Sequence, residues 1–202
     1  VSVDGKVTTD PDFELLDSNR VFFDGKHITI IEHHYIVLNK PANFACVTED
    51  KEYPSVLNLI KNQALDRSYY FANTLSPLET GLVLISNDIR WTSRLSLRLQ
   101  KKSCVYRITS ANDINDDQIK NLREIWSASS ANNMLENIDI QKQNINTLLI
   151  HINQAKSAEI MAALSSINLR IKQLQLQQIG KMGIGEIAEG DYLQIKENEV
   201  QI

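Results

Sequence analysis

The sequence predicts an α+β fold organised as one main domain. Two observations carry that reading. Short apolar, β-rich runs at Tyr35–Leu38, Gly81–Ile85, Val105–Thr109 and Thr147–Ile152 have the length and composition of strands, and segments of helical period fall between and after them. No unit repeats along the 202 residues, so strands and helices alternate without the regular spacing of a repeat array.

Composition narrows the class. An apolar content of 43% and a charged content of 23% are ordinary for a soluble globular chain. No apolar run approaches the roughly 20 residues that span a bilayer, and the start has no signal-peptide pattern, so a cytoplasmic protein with no membrane partner is expected. The net charge of -4, with a pI near 5.6, gives no bulk support for nucleic-acid binding and leaves that role to a local basic face. Cys46 and Cys104 sit in apolar surroundings without metal-ligand spacing and read as buried thiols of a reducing cytosol. The chain opens on Val1 rather than Met, which points to an upstream piece.

Taken in order, residues 1 to about 30 read as short strands and tight turns, with the turn dipeptides Asp4-Gly5 and Asp24-Gly25 following Val1/Val3 and Val21-Phe22-Phe23. Tyr35-Ile36-Val37-Leu38 is an apolar strand that ends at Asn39-Lys40-Pro41, where proline forbids further ladder donation. Pro54 to Ile60 suits a helix with proline at its start. Gly81 to Ile85 reads as a strand buried on both faces, and Asn87 or Asp88 caps a helix through Trp91 and Leu95. The stretch from about 112 to 146 is rich in Asn, Asp, Gln and Ser with weak periodicity, and no element is assigned there. Ile160, Leu164 and Ile167 form a helical stripe; Leu169, Ile171, Leu174 and Leu176 return to strand alternation with one slip that reads as a bulge. Gly180 to Gly190 reads as loop. His33-His34 reads as a turn with no partner pattern for a metal.

Several motifs taken together resemble one family. Tyr35-x-Val37-Leu38-Asn39-Lys40-Pro41, followed by Cys46-x-Thr48-Glu49-Asp50 and Pro54-x-Val56-Leu57, matches y-x-x-L-N-K-P-x-G-x-x-C-S-T-x-D and P-T-V-L, with Asn43 at the glycine position. Leu75, Gly81, Leu82 and Leu84 match G-R-L-D-x-x-T-x-G-L-x-L; Asn87 to Trp91 matches D-D-G-x-W; Tyr106 matches the tyrosine of K-x-Y; and Gly190-Asp191-Tyr192 matches near the end. These are motifs of the pseudouridine synthases that modify small-subunit ribosomal RNA and of their large-subunit relatives. The resemblance covers nearly the whole chain. It implies a mixed, mainly antiparallel sheet with flanking helices over residues 31 to 202. It also implies that residues 1 to 30 are the second half of an alpha-L type RNA-binding module, whose two-helix first half is absent from this sequence.

In that family an ionised aspartate attacks the target uridine, the base is released, and it rejoins through carbon, with no metal or organic cofactor. Here Asn73, Thr74 and Ser76 stand at the Gly, Arg and Asp of the loop motif. Cys104 stands at the Lys of K-x-Y, and the segment Ala155 to Leu164 lacks the family's His, Gln and paired basic residues. Aspartate ionises near pH 3.9 without help, whereas a serine hydroxyl needs an adjacent base. Ser76, at the nucleophile position, is therefore expected to be inactive, and Ser76-Pro77 otherwise reads as a plain turn. Glu79 is the carboxylate left in the loop and the candidate for a relocated nucleophile. Leu65-Asp66-Arg67 echoes the lost motif only superficially and reads as a surface turn.

The resemblance implies a partner: structured RNA, ribosomal RNA foremost. Lys40 reads as a phosphate contact or as a solvated turn lysine. Arg94, Arg98, Lys101, Lys102 and Arg107 read as an RNA track or as a solvated helix face. Tyr69-Tyr70-Phe71 reads as base-stacking or core packing, and Tyr106 as strand packing or a retained base-stacking residue. The alternatives are an active synthase using Glu79 and a protein-interaction scaffold.

Overall fold

The structure is a computed structural model that describes residues 1–16, 18–28, 32–60, 68–130, 138–154 and 157–200. The chain divides into two compact units, Val1–His33 and His34–Ile202.

The first unit is a four-stranded sheet in the order β2-β1-β3-β4, built from β1 (Ser2–Val3), β2 (Lys6–Val7), β3 (Val21–Phe23) and β4 (Lys26–Ile28). Both hairpins close on Asp-Gly pairs with positive φ, Asp4 (49°) with Gly5 (81°) and Asp24 (51°) with Gly25 (74°). Two consecutive left-handed residues make the turn whose twist matches the strands. The Asp4 carboxylate also accepts hydrogen bonds from Asn19 Nδ2 (2.7 Å) and Arg20 N (2.8 Å), and the Arg20 backbone bond foremost holds its pKa below the usual value. Among the described apolar side chains of this unit only Val3 and Val21 are buried, while Val7, Phe13, Leu16 and Phe23 are exposed. Turn chemistry organises both hairpins of this unit.

Among the described residues the second unit is a nine-stranded sheet, mainly antiparallel, with three α-helices. Its strands are β5 (Tyr35–Lys40), β6 (Tyr70–Phe71), β7 (Thr80–Ser86), β8 (Cys104–Ser110), β9 (Asp139–Asn144), β10 (Thr147–Ile152), β11 (Ile171–Ile179), β12 (Met182–Gly183) and β13 (Tyr192–Ile195). The main path runs β13-β5-β7-β11-β8-β10-β9, with β6 paired to β7 and β12 to β11. Among the described strands the one parallel pairing, β7 with β11, is limited to Gln175↔Thr80 and Leu176↔Gly81. Every residue of β5 and β7 is buried, so both faces of the sheet are covered at this point. Gly81 permits the parallel contact. Its φ is +111°, and a Cβ there would lie 2.1 Å from the Leu176 carbonyl oxygen, so no other residue fits.

The helices are α1 (Ile89–Leu99), α2 (Asp116–Ser130) and α3 (Ser157–Ser166). Asp88 caps α1, its carboxylate accepting from Arg90 N and Trp91 N, and Trp91, Leu95 and Leu99 are buried beneath it. Trp91 packs on Tyr35 of β5 with ring centroids 4.9 Å apart. α3 stops in a two-bond closure, Leu169 N donating to Leu164 O and Asn168 N to Ser165 O, with Asn168 in the left-handed region at φ 55°. The alternation slip in β11 is real: its register with β8 shifts between Ile171 and Gln173 and again between Leu176 and Gln178.

Three expectations change. Pro54 to Ile60 is not an α-helix but a 3₁₀ turn over Val56–Leu59, because Ser55 caps it and Ile60 has already left helical geometry. The unassigned stretch after 112 holds α2 and β9; Ile119, Leu122 and Trp126 are buried at helical spacing, a stripe masked by the polar residues between them. The Gly180 to Gly190 loop contains the short strand β12. Asp66 and Lys156 lie outside the described residues. Among the described residues, no helix is long and apolar enough to cross a membrane.

Candidate active site

The site is a loop, residues 72–79, strung between β6 and β7. Its inner side is tied down at several points. Lys40 continues the buried side of β5 after Ile36 and Leu38, and it has no exposed surface. Its ammonium donates to three carbonyls, Pro41 O (3.0 Å), Pro77 O (3.1 Å) and Glu79 O (2.6 Å). Burial pulls its pKa below the ordinary lysine value, and neighbouring Cys46, Glu79 and Glu189 oppose that shift. Lys40 is therefore neither a solvated turn lysine nor placed to meet a phosphate. All three N–H groups are spent on backbone oxygens, two of them in the loop.

One substitution adds to this anchoring and a second is accommodated in it. Asn73, at the family's glycine, donates from Nδ2 to Leu82 O and accepts at Oδ1 from Leu84 N, both at 2.9 Å, so its amide acts as an extra rung beside β7. Asn43, at the other glycine position, has φ 64°, a left-handed geometry that asparagine tolerates better than other side chains. Its N–H donates to Pro77 O at 2.8 Å, sharing the carbonyl that Lys40 grips. Leu75 is buried between these anchors.

The outer side carries the sequence-derived site residues Thr74 and Ser76, both exposed. Ser76 and Glu79 close on each other: Glu79 N donates to Ser76 O and Ser76 N to Glu79 Oε2, each at 3.1 Å. The carboxylate nearest the Ser76 backbone is thus that of Glu79, with one oxygen committed to the turn. Thr74 lines a cleft of about 760 Å³ with Cys46, Thr48, Tyr70, Phe71 and the Ser93/Leu97 side of α1. Tyr69, Tyr70 and Phe71 all line this cleft, Tyr69 buried and the other two half-buried.

Tyr106 is buried on β8, paired with Leu176 of β11 and Ile150 of β10. Burial raises its phenol pKa well above the ordinary value, and Cys104, Glu79 and Glu159 push it further in the same direction. Glu159 lies in the first turn of α3. The phenol stays protonated at neutral pH and can donate a hydrogen bond. Cys104, at the family's lysine, is fully buried, and burial pushes its thiol up to about 12; Cys46 is likewise raised by burial. The structure does not unite the basic residues with Tyr106. Arg107 is exposed on the opposite face of β8, and Lys101 and Lys102 form the turn that ends α1, Lys101 exposed and Lys102 half-buried. Arg94 is an exposed helix residue 3.4 Å from Glu197.

The chain is similar over nearly its whole length to curated proteins named ribosomal small subunit pseudouridine synthase A. Identity is 27% over 204 residues with the protein of Vibrio parahaemolyticus, spanning 99% of this chain and 87% of the relative. It is 22% over the same length with that of Escherichia coli K12, with the same two shares. A protein of Aquifex aeolicus named uncharacterized RNA pseudouridine synthase is 25% identical over 203 residues, spanning 100% of this chain and 84% of the relative. The fold matches the crystal structure of a pseudouridylate synthase with a TM-score of 0.64 at 18% identity, over 98% of this chain and 86% of that one. No protein-family model matches the chain. The resemblance carried by the sequence motifs and the mixed, mainly antiparallel fold they implied thus both stand.

Proposed function

We propose that this chain belongs to the small-subunit-type pseudouridine synthases, keeps their fold and loop architecture, has lost most of the isomerase chemistry, and retains a role in binding structured RNA, foremost ribosomal RNA. The observation that carries this reading is the loop itself. Its backbone is held by Lys40, Asn43 and Asn73, while the nucleophile position presents the hydroxyl of Ser76. A hydroxyl without a base does not attack uridine at neutral pH, and removal of a covalent nucleophile elsewhere costs on the order of 10^4 to 10^6 in rate. Thr74 also removes the cation that would hold an extruded nucleotide. RNA contact then falls to the exposed cations at the end of α1, Lys101 above all, and to Arg107 on the far side of β8. Residues 1 to 30 are read as part of the RNA-binding module.

A second reading has one observation in its favour. The Glu79 carboxylate touches the Ser76 backbone and raises the pKa of Tyr106, so a carboxylate is present in the site. If Glu79 were a relocated nucleophile, the purified protein would form pseudouridine in ribosomal RNA and Glu79→Gln would abolish it. The proposal expects no product above blank for either protein, with an active relative as control. It also expects binding of ribosomal RNA fragments that weakens as salt rises and on replacing Lys101 and Lys102 with Ala. Product formed by the unmodified chain would refute the loss of chemistry; RNA binding that is absent or insensitive to salt would leave a protein-interaction scaffold.

A further inference from the structure

Asn39, next to Lys40 on β5, is 4% exposed and only half satisfied. Its Nδ2 donates to Ile187 O at 2.8 Å, while its Oδ1 has no hydrogen-bond partner. A buried acceptor left without a donor is costly, so the position calls for a reason. Side chains alternate along a strand, so Asn39 shares a face of β5 with Val37. Its backbone N–H donates to Asp191 O at 3.1 Å, and the register of β13 with β5 sets Asp191 opposite Asn39 on that same face.

A cavity of about 570 Å³, a size that suits a small molecule, lies against this amide, with Val37, Ile187 and Asp191 all in its lining. The lining combines the apolar side chains of Val37, Met182, Ile184 and Ile187 with three carboxylates, Glu186, Asp191 and Glu199. Among the described residues it holds no lysine or arginine. Glu199 is fixed by Lys196 N, which donates to its Oε2 at 2.7 Å. Glu186 and Asp191 have no ion-pair partner among the described residues. The carboxylates do not converge on one point, since no group of three acidic, His or Cys side chains among the described residues is placed to hold a metal ion. Separated negative charges in an apolar cavity suit a cation that is itself divided.

We infer that this cavity binds an aliphatic polyamine, a chain of methylenes carrying two or more ammonium groups. The methylenes pack on Met182, Ile184 and Ile187. One ammonium meets the Asp191 carboxylate and gives an N–H to Asn39 Oδ1, the acceptor that no protein donor reaches. A second ammonium meets Glu186 or Glu199. A single exposed ion pair is weak and easily screened, whereas two on one tether act together. The contacts fall on side chains of the cavity, and the outer backbone edge of β13 takes no part. The cavity shares no residue with the loop at 72–79 or with Tyr106, so binding is separate from the site of the lost chemistry.

The test is calorimetric titration of the full chain with spermidine, followed by NMR of its methyl groups. Spermidine should bind saturably at one site and shift the methyls of Met182, Ile184 and Ile187. Butylamine, with a single ammonium, should bind about tenfold more weakly or worse, and magnesium at equal charge should not displace spermidine. Asp191→Asn and Glu186→Gln keep the shape of exposed side chains and remove one charge each. Each should weaken spermidine about fivefold with an unchanged melting curve, whereas Glu124→Gln, the same change on the exposed side of α2, should leave binding as it is. The inference is overturned if butylamine binds as tightly as spermidine, if magnesium displaces it, if the two cavity variants bind like the wild type or no worse than Glu124→Gln, or if the methyl shifts fall elsewhere.

Discussion

The inner and outer sides of the loop between β6 and β7 have diverged in opposite directions. Inside, Lys40 grips two loop carbonyls, Asn43 shares one of them, Asn73 adds a rung to β7, and Gly81 lets the strand approach β11. Outside, Thr74 and Ser76 are exposed and carry neither the cation nor the carboxylate of the related loops. A chain drifting without constraint would lose buried and exposed positions alike. Under the proposed function, the architecture of the loop has been held while its reactive groups were exchanged.

The largest expected effect lies on the inner side. Gly81→Ala should cost more than about 4 kcal/mol and leave little folded protein, because its Cβ would collide with backbone at Leu176. Soluble Gly81→Ala protein with a native melting curve would break the contrast at its strongest point. Lys40→Met should cost on the order of 3 kcal/mol, since it strips a charged donor from three carbonyls. Ser76→Ala, on the outer side, should stay within about 0.5 kcal/mol. Denaturant titrations of the two variants side by side sharpen the comparison; equal losses would erase it.

Alkaline pH probes the buried thiol that replaced the family's lysine. The folded Cys104 thiol keeps its proton up to about 12, against an ordinary value of 9.0. Between those values the folded state binds more protons than the unfolded one, so stability falls as pH rises, by up to about 1.4 kcal/mol per unit from this group. The buried phenol of Tyr106 adds to the fall, whereas Lys40, with its lowered pKa, opposes it. Cys104→Val should flatten the slope above pH 9 in a series of urea melts. An unchanged slope would mean that Cys104 is not buried as described. Asn73→Ala should fall between Lys40→Met and Ser76→Ala, at about 1 to 2 kcal/mol for two side-chain bonds.

The sequence made β5, β7, β8, β10 and β11 legible because of their apolar runs; β7 and the Asp88 cap fall where the turn and cap signals placed them. α2 was not legible, since Asn115, Asp116, Asp117 and Gln118 obscure the Ile119–Leu122–Trp126 stripe. Lys40 was misjudged because a lysine beside a proline reads as surface, although its place two residues after Leu38 put it on the buried side of β5. The roles of Asn73 and Asn43 needed the fold: one pairs with β7 across the loop and the other depends on a backbone angle. The motif losses at Thr74 and Ser76 were readable directly. Their meaning rested on finding the loop intact beneath them.

Restoring the outer side tests the central claim most directly. Purified wild type and the Thr74→Arg, Ser76→Asp double variant would be incubated with ribosomal RNA, and pseudouridine would be counted beside an active relative. An intact loop stripped of its chemistry predicts no product from the wild type and measurable product from the double variant. Product from the wild type at the rate of the active relative would contradict the account.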